Sequence, residues 1–129
     1  MDVGCGTGAF GILLKEKGFT NITGLDPSQV LLDKLDQTEA YKASRCMYIG
    51  MGLDKYPEDL KGKFDIVTAT GVFLDGHIPA LGFEDIHASL KPNGYFVTGL
   101  RAPYWEDGHE TGYKDKFNEL VAAGKWKLV

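Results

Sequence analysis

The chain has 129 residues, of which 43% are hydrophobic, so it is long enough for one domain (1–129) with a core of ordinary size. Its net charge is −4, from 14 basic and 18 acidic side chains interspersed along the chain, which disfavours a nucleic-acid partner. No apolar run approaches the roughly 18 residues that span a membrane, and no secretory signal pattern is present.

The first half of the chain alternates between apolar strand patterns and amphipathic helix patterns. Leu31, Leu32 and Leu35 recur at helical spacing behind Ser28, a residue type that caps helices. The patterns predict, in chain order, a strand at 1–3, a helix at 9–17, a strand at 21–25, a helix at 28–36 and a strand at 46–49.

The same alternation continues in the second half. The run at 64–70 is β-branched and mostly apolar, as expected for a strand buried on both faces. Next come a predicted helix at 83–90, a turn at 91–94, a strand at 95–100, a helix at 113–123 and the start of a sixth strand at 126–129. This alternation implies right-handed crossovers and an α/β fold with a parallel sheet, whose ligands bind at the carboxyl ends of the strands.

A glycine-rich turn follows the first predicted strand. Gly4, Gly6 and Gly8 stand at alternate positions, which allows a tight turn and the close approach of a ligand to the backbone. Asp2 precedes the turn as an acceptor that suits an ammonium group or hydroxyls and repels a phosphate. Asp26 follows the second predicted strand, where a carboxylate accepts both hydroxyls of a ribose. Together these residues predict a site for an adenosine without a 2′-phosphate.

Several segments carry a resemblance to a known family. Residues 2–8 (Asp-Val-Gly-Cys-Gly-Thr-Gly) resemble motif I of class I S-adenosylmethionine-dependent methyltransferases, and 26–28 resemble their acidic motif. Residues 90–94 resemble the family's Leu-Lys-Pro-Gly-Gly turn, with Asn in place of the first Gly. The segments 71–79 and 112–126 are similar to the methyltransferase-like protein 27 group. The resemblance implies a Rossmann-like, mostly parallel sheet in the order 3-2-1-4-5, with helices on both faces.

The resemblance also implies S-adenosylmethionine as the cofactor and S-adenosylhomocysteine as its product. The glycines then back the methionine and ribose, Asp2 lies near the amino group, and Asp26 binds the ribose hydroxyls. Met51 flanks the adenine, and the residues that follow the fourth strand line the sulfonium side. The implied cofactor-binding residues are Asp2, Gly4, Cys5, Gly6, Gly8, Asp26, Pro27, Met51, Thr70 and Gly71.

The acceptor side is less sharply defined by the sequence. His77 lies in the predicted loop after the fourth strand and either orients or deprotonates an acceptor or is an ordinary surface histidine. Arg101, Tyr104 and Trp105 follow the fifth strand and either shape an acceptor pocket or pack their own loop. No catalytic residue is assigned, because in-line methyl transfer depends mainly on proximity and orientation. The expected acceptor is a small-molecule or protein nucleophile, and no metal site is predicted.

Two alternative functions remain open. The spacing Gly4-x-Gly6-x-x-Ala9 also fits the looser dinucleotide fingerprint of a NAD-dependent oxidoreductase. The other alternative is a non-catalytic, degenerate cofactor-binding or interaction module, because only three residues precede the glycine turn and family members carry more chain at both ends. We therefore expect a truncated first strand, marginal stability and weak cofactor affinity.

Cysteine usage bears on the compartment. Cys5 and Cys46 have no Cys-x-x-Cys spacing, so neither a disulfide framework nor a zinc knuckle is predicted. We expect Cys5 to be a small filler between two glycines and Cys46 to be a buried strand residue. The pattern indicates a reducing compartment, and we expect a cytoplasmic monomer.

Overall fold

Five strands and four α-helices make up the computed structural model, which describes residues 1–129. They are β1 (Asp2–Val3), α1 (Ala9–Glu16), β2 (Thr23–Asp26), α2 (Gln29–Asp36), β3 (Ala43–Cys46), β4 (Phe64–Thr70), α3 (Gly82–Ser89), β5 (Leu90–Gly99) and α4 (Tyr113–Ala122). The strands form one parallel sheet in the order β3-β2-β1-β4-β5, which confirms the predicted fold class and strand order. Each of these helices is too short to cross a membrane.

The strand order reverses at β1, which lies between β2 and β4. Right-handed crossovers therefore place α1 and α2 on one face of the sheet and α3 on the other. Two separate apolar clusters agree with this arrangement, since one contains Leu32 and Leu35 of α2 and the other contains Phe83 and Ile86 of α3. The reversal opens a crevice at the carboxyl ends of β1 and β4, where open α/β sheets bind their ligands.

The central strand β1 has two residues, Asp2 and Val3, so it is short as predicted and one residue shorter than the predicted strand at 1–3. Both are 2% exposed, because β1 is paired on each side. Asp2 lies opposite Gly24 of β2 and opposite Thr68 of β4. The glycine-rich turn thus begins at the middle of the sheet, directly above its most buried strand.

Strand β3 lies three residues earlier than predicted, at Ala43–Cys46 in place of 46–49. The prediction followed an apolar run, but β3 is an edge strand that pairs only with β2 and needs no continuous apolar sequence. Cys46 is accordingly exposed, which corrects the expectation that it is buried. Ile49, which belongs to the same apolar run, lies in the loop that follows β3 and is buried there.

Strand β5 begins before the predicted turn at 91–94 and incorporates it. The register passes from Leu90 opposite Phe64 to Tyr95 opposite Ile66, so four residues bulge against a single residue of β4. Asn93 takes a φ of +63° inside this bulge, a conformation that asparagine tolerates better than most residues. The turn is therefore present, but β5 pairs with β4 both before and after it.

Two expectations about burial and strands are wrong. Strand β4 has its predicted bounds, but only its centre is buried, and Ile66 is 41% exposed. No sixth strand forms at 126–129. Trp126 instead packs its ring against Phe83 and Phe96, with centroids 5.6 and 5.3 Å away. The C-terminal segment lines a groove beside β5 without pairing with it as a strand.

Candidate functional site

The glycine-rich turn leads from β1 into α1. Gly4, Gly6 and Gly8 have φ values of +69°, +53° and +89°, a region that side-chain-bearing residues rarely adopt. The backbone N–H groups of Gly4 and Cys5 donate to the Leu25 carbonyl at 2.7 and 3.1 Å, which ties the turn to β2. A Cβ placed on Gly6 would meet nothing within 4 Å, so this part of the turn faces open space that a ligand can enter.

Asp26 lies at the end of β2 beside this turn and is 7% exposed. Its Oδ2 accepts from the Gly6 backbone N–H at 2.9 Å, and its Oδ1 accepts from the Ser28 N–H at 2.9 Å. The carboxylate is therefore fixed in orientation by two backbone donors. Each oxygen retains a second acceptor position, because an ionised carboxylate offers about four lone-pair sites. This leaves capacity for two hydroxyl donors, as a ribose diol requires.

Asp2 is buried beneath the turn. Its Oδ1 accepts from the Thr68 hydroxyl at 2.8 Å, and its Oδ2 accepts from the Tyr41 hydroxyl at 2.6 Å. Burial raises the pKa of Asp2, while the two hydroxyl donors act in the opposite direction. Its nearness to a cofactor amino group stays a prediction.

The side chain of Cys5 points into the small apolar cluster with Leu32 and Leu35. Burial is the main cause that raises the pKa of its thiol to about 12. The thiol is therefore protonated at neutral pH, and it lacks the thiolate character of a nucleophile.

The other predicted cofactor residues are exposed at the carboxyl edge of the sheet: Pro27 after β2, Met51 after β3, Thr70 at the end of β4, and Gly71. Met51 is 55% exposed, so its side chain is free to contact a planar group. The carboxyl ends of parallel strands meet at the same edge of a sheet, so these positions lie along one edge; that they line one cofactor site stays a prediction.

Asp85 of α3 forms a hydrogen bond with the loop that carries Met51. The sequence analysis had not identified Asp85. Its Oδ2 accepts from the Gly50 backbone N–H at 2.6 Å, whereas its Oδ1 is buried without a partner. Asp85 is 2% exposed, and burial raises the pKa of its carboxyl group. Pro79 also packs against Gly50 so closely that a Cβ there would overlap the proline ring.

Val72 connects the loop after β4 to the glycine turn. A Cβ on Gly4 would overlap the Val72 side chain, so only glycine allows these two loops to touch. Val72 is 8% exposed and belongs to the main apolar cluster. The loop after β4 is thereby packed against the same turn that Asp26 contacts.

His77 is exposed in this loop and lines a cavity of about 390 Å³. Its Nδ1 lies 3.0 Å from the Asp75 carbonyl oxygen. The cavity also contains Glu110 and Tyr113, and its lining includes no lysine or arginine. Its lining comes from the loop between β4 and α3, from the segment before α4 and from the first residue of that helix.

Arg101 and Trp105 do not line this cavity. Trp105 lines a groove beside β5 and packs its ring against Phe117 at 5.1 Å, while Arg101 is exposed. Tyr104 instead reaches the His77 loop, and its hydroxyl donates to Asp75 Oδ2 at 3.2 Å. The segment after β5 therefore contacts the loop after β4 through Tyr104, one of the residues that the sequence places after the fifth strand.

The chain is similar in sequence to known proteins. Residues 1–96 match the model of a methyltransferase domain family. Human Methyltransferase-like protein 27 is 27% identical over 98% of this chain, which spans 50% of that relative's length.

Solved structures share the fold. A TehB-like SAM-dependent methyltransferase from Corynebacterium glutamicum superposes with a TM-score of 0.69 at 22% identity, covering 92% of this chain and 62% of that one. The [4+2]-cyclase SpnF superposes with a TM-score of 0.60 at 27% identity, covering 75% of this chain and 36% of that one.

Proposed function

The chain belongs to the methyltransferase domain family, and from that premise we propose that it binds S-adenosylmethionine and directs methyl transfer to a small-molecule or protein nucleophile. The observation that carries the proposal is the carboxylate of Asp26, which two backbone N–H groups orient beside the glycine turn. Its two free acceptor positions match a ribose diol. A phosphate would be repelled there, so the site favours an unphosphorylated adenosine.

The residues around Asp26 fit the remainder of this cofactor. Gly6 borders open space in which a methionine chain passes close to the backbone. Met51 is exposed for contact with the adenine, and the buried negative charge of Asp2 favours a nearby ammonium group. When bound, S-adenosylmethionine supplies a methyl carbon that the acceptor's lone pair attacks as the carbon–sulfur bond breaks to leave a thioether. The chain's contribution is to orient both reactants and to exclude water.

The cavity lined by His77 is the proposed entrance for the acceptor. It opens from the loop after β4, and its charged side chains are the carboxylates of Asp75 and Glu110. A carboxylate-lined cavity disfavours phosphorylated acceptors and favours neutral or cationic ones. Because Nδ1 of His77 faces the Asp75 carbonyl oxygen and donates to it, Nε2 is the atom that we propose to accept the proton lost by the attacking group. The two unpaired cysteines support a reducing compartment, which we propose to be the cytoplasm, and we propose a monomer.

A second candidate function is cofactor binding without methyl transfer. SpnF shares this fold and is named as a cyclase, which illustrates that one fold hosts several reactions. The chain spans half of the human relative it matches, so transfer by the whole protein is itself a proposal. A nicotinamide-dependent oxidoreductase is not proposed, because the family match is to methyltransferases.

The test is calorimetric titration of the chain with S-adenosylhomocysteine, with NAD as a second ligand. Asp26→Ala is expected to weaken binding by at least about tenfold, since it removes a charged acceptor from the ribose. The matched control is Asp33→Ala, which changes an exposed aspartate on α2 and leaves affinity unchanged. Binding of NAD in preference to S-adenosylhomocysteine, or no binding by a folded chain, contradicts the proposal. Binding without turnover across a panel of amines, thiols and hydroxyl compounds favours the second candidate.

A further inference from the structure

Tyr41 lies in the segment between α2 and β3, and its ring reaches beneath the glycine turn. A Cβ on Gly11 would overlap this ring, and one on Gly8 or Gly24 would come within 3.1 Å of it. These three glycines belong to the glycine turn, α1 and β2. The absence of side chains at these positions creates a slot that the tyrosine ring fills.

The hydroxyl at the end of this ring connects two parts of the site. It accepts from the Gly11 backbone N–H of α1 at 3.0 Å and donates to Asp2 Oδ2 at 2.6 Å. Thr68 of β4 donates to the other oxygen of Asp2 at 2.8 Å. The buried carboxylate of Asp2 is therefore oriented by two hydroxyls, one bonded to each of its oxygens.

We propose that Tyr41 is a positioning residue for cofactor binding, which fixes the Asp2 carboxylate beneath the glycine turn so that its charge acts on the cofactor's ammonium group. The inference rests on the proposed function and adds to it a residue that needs no contact with the cofactor. It concerns the amino-acid end of the ligand, because Asp26 already accounts for the ribose.

Neutral donors suit this role. A carboxylate that is 2% exposed requires hydrogen bonds, because an unpaired buried charge is strongly destabilising. A lysine or arginine would satisfy it but would cancel its charge, whereas two hydroxyls satisfy it and leave the negative charge in place. The negative field then remains available to a cationic group entering the crevice.

The titratable groups that face Asp2 are the Met1 amine, the Cys5 thiol and the Tyr41 hydroxyl. The hydrogen bond from Tyr41 lowers the pKa of Asp2, against the larger effect of burial. Loss of that hydroxyl therefore raises the pKa of Asp2, and the carboxylate is neutralised at a higher pH. The affinity for an ammonium-bearing ligand should then decline earlier as the pH falls.

The experiment compares Tyr41→Phe with Tyr56→Phe. Tyr56 is the matched control, because its buried hydroxyl bonds Ser89 Oγ of α3 at 2.6 Å and lies 4.0 Å from Met1 Sδ, but forms no hydrogen bond with Asp2 or the glycine turn. Each chain is titrated with S-adenosylhomocysteine and with 5′-methylthioadenosine, which has the same thioether nucleoside but no amino acid. We expect Tyr41→Phe to weaken S-adenosylhomocysteine binding about tenfold, while every other combination changes by less than about twofold. The affinity for S-adenosylhomocysteine is also measured as a function of pH. Only in Tyr41→Phe should the pH at which this affinity declines on acidification move to a higher value.

The outcomes separate the inference from its premise. If the unaltered chain binds neither ligand, the proposed function fails, and the inference falls with it. If the unaltered chain binds both and Tyr41→Phe binds S-adenosylhomocysteine equally well, only the inference is overturned. Equal weakening of both ligands also overturns it, because that result indicates a general structural role. Should Tyr41→Phe fail to fold, Thr68→Val removes the other donor to Asp2, and an unchanged affinity for S-adenosylhomocysteine in that variant overturns the inference.

Discussion

The two faces of the sheet are built differently. The aromatic face, packed by α3 and α4, contains Phe73 stacked on Phe83 at 4.6 Å, with Phe96 and Tyr113 edge-on to both. The tyrosine face, packed by α1 and α2, has a buried cluster of only three residues, with Tyr41 against it. Hydrophobic burial dominates the first face, whereas glycine contacts and hydrogen bonds dominate the second.

The tyrosine face is also sparsely covered. Tyr95 and Val97 of β5 alternate with the half-buried Phe96 and are 59% and 56% exposed, and Leu13 of α1 is 57% exposed. Burial of apolar area supplies most of the stability of a fold, so the aromatic face should dominate the free energy of unfolding. The tyrosine face should instead dominate cofactor affinity, because it orients Asp2 and the glycine turn.

The sharpest test of this contrast is Phe83→Ala on the aromatic face. Phe83 is 1% exposed and contacts several rings, so its truncation should lower the free energy of unfolding by about 3–5 kcal/mol. Urea denaturation measures the loss. Leu13→Ala, on the exposed side of α1, should change stability by less than about 0.5 kcal/mol. Similar losses in the two variants would show that the faces do not differ in this way.

A smaller effect is expected from Gly11→Ala on the tyrosine face. Alanine would favour helix α1 by about 1 kcal/mol relative to glycine, but its Cβ overlaps the Tyr41 ring. We expect a net loss of about 1–3 kcal/mol, as for other overpacked sites, together with weaker binding of S-adenosylhomocysteine. In a Tyr41→Ala background the same substitution should instead be stabilising, which a double-mutant cycle measures. A stabilising effect of Gly11→Ala in both backgrounds would mean that the Tyr41 ring does not pack closely against Gly11.

The smallest effect concerns Asp85, whose folded-state pKa is raised above 3.8 by burial. The folded chain then holds this proton more tightly than the unfolded chain, so the free energy of unfolding falls as pH rises through the folded pKa. Asp85→Asn removes that decline and keeps an oxygen that accepts from Gly50 N–H. The variant should therefore gain stability relative to the unaltered chain between pH 3.8 and neutral pH. Urea midpoints across this range test it, with the exposed Asp115→Asn as control; parallel curves would contradict it.

Predictions from sequence succeeded where the signal is local or repeated. The alternation of strand patterns and helix patterns along the chain indicated the parallel sheet. The bounds of β4 and the start of α4 were predicted correctly. Asp26 was placed at the end of β2 by its position after a short apolar segment, and the structure puts it beside the glycine turn. The position of β3 was missed because an edge strand carries little hydrophobic pattern. The sixth strand was predicted wrongly, since Trp126 packs into the aromatic face and no strand forms at 126–129.

The periodic patterning of the sequence by itself indicated the α/β fold class with a parallel sheet. The strand order and the family were implied by the resemblance of the glycine turn and the neighbouring motifs to a known family. Only the tertiary structure decided which side chains support that turn. Tyr41 lies 39 residues from Asp2 and Asp85 lies 35 residues from Gly50, yet each pair shares one hydrogen bond. Such contacts depend on how helices and loops pack against a shared sheet, and a single buried hydroxyl or carboxylate leaves no periodic trace in the chain.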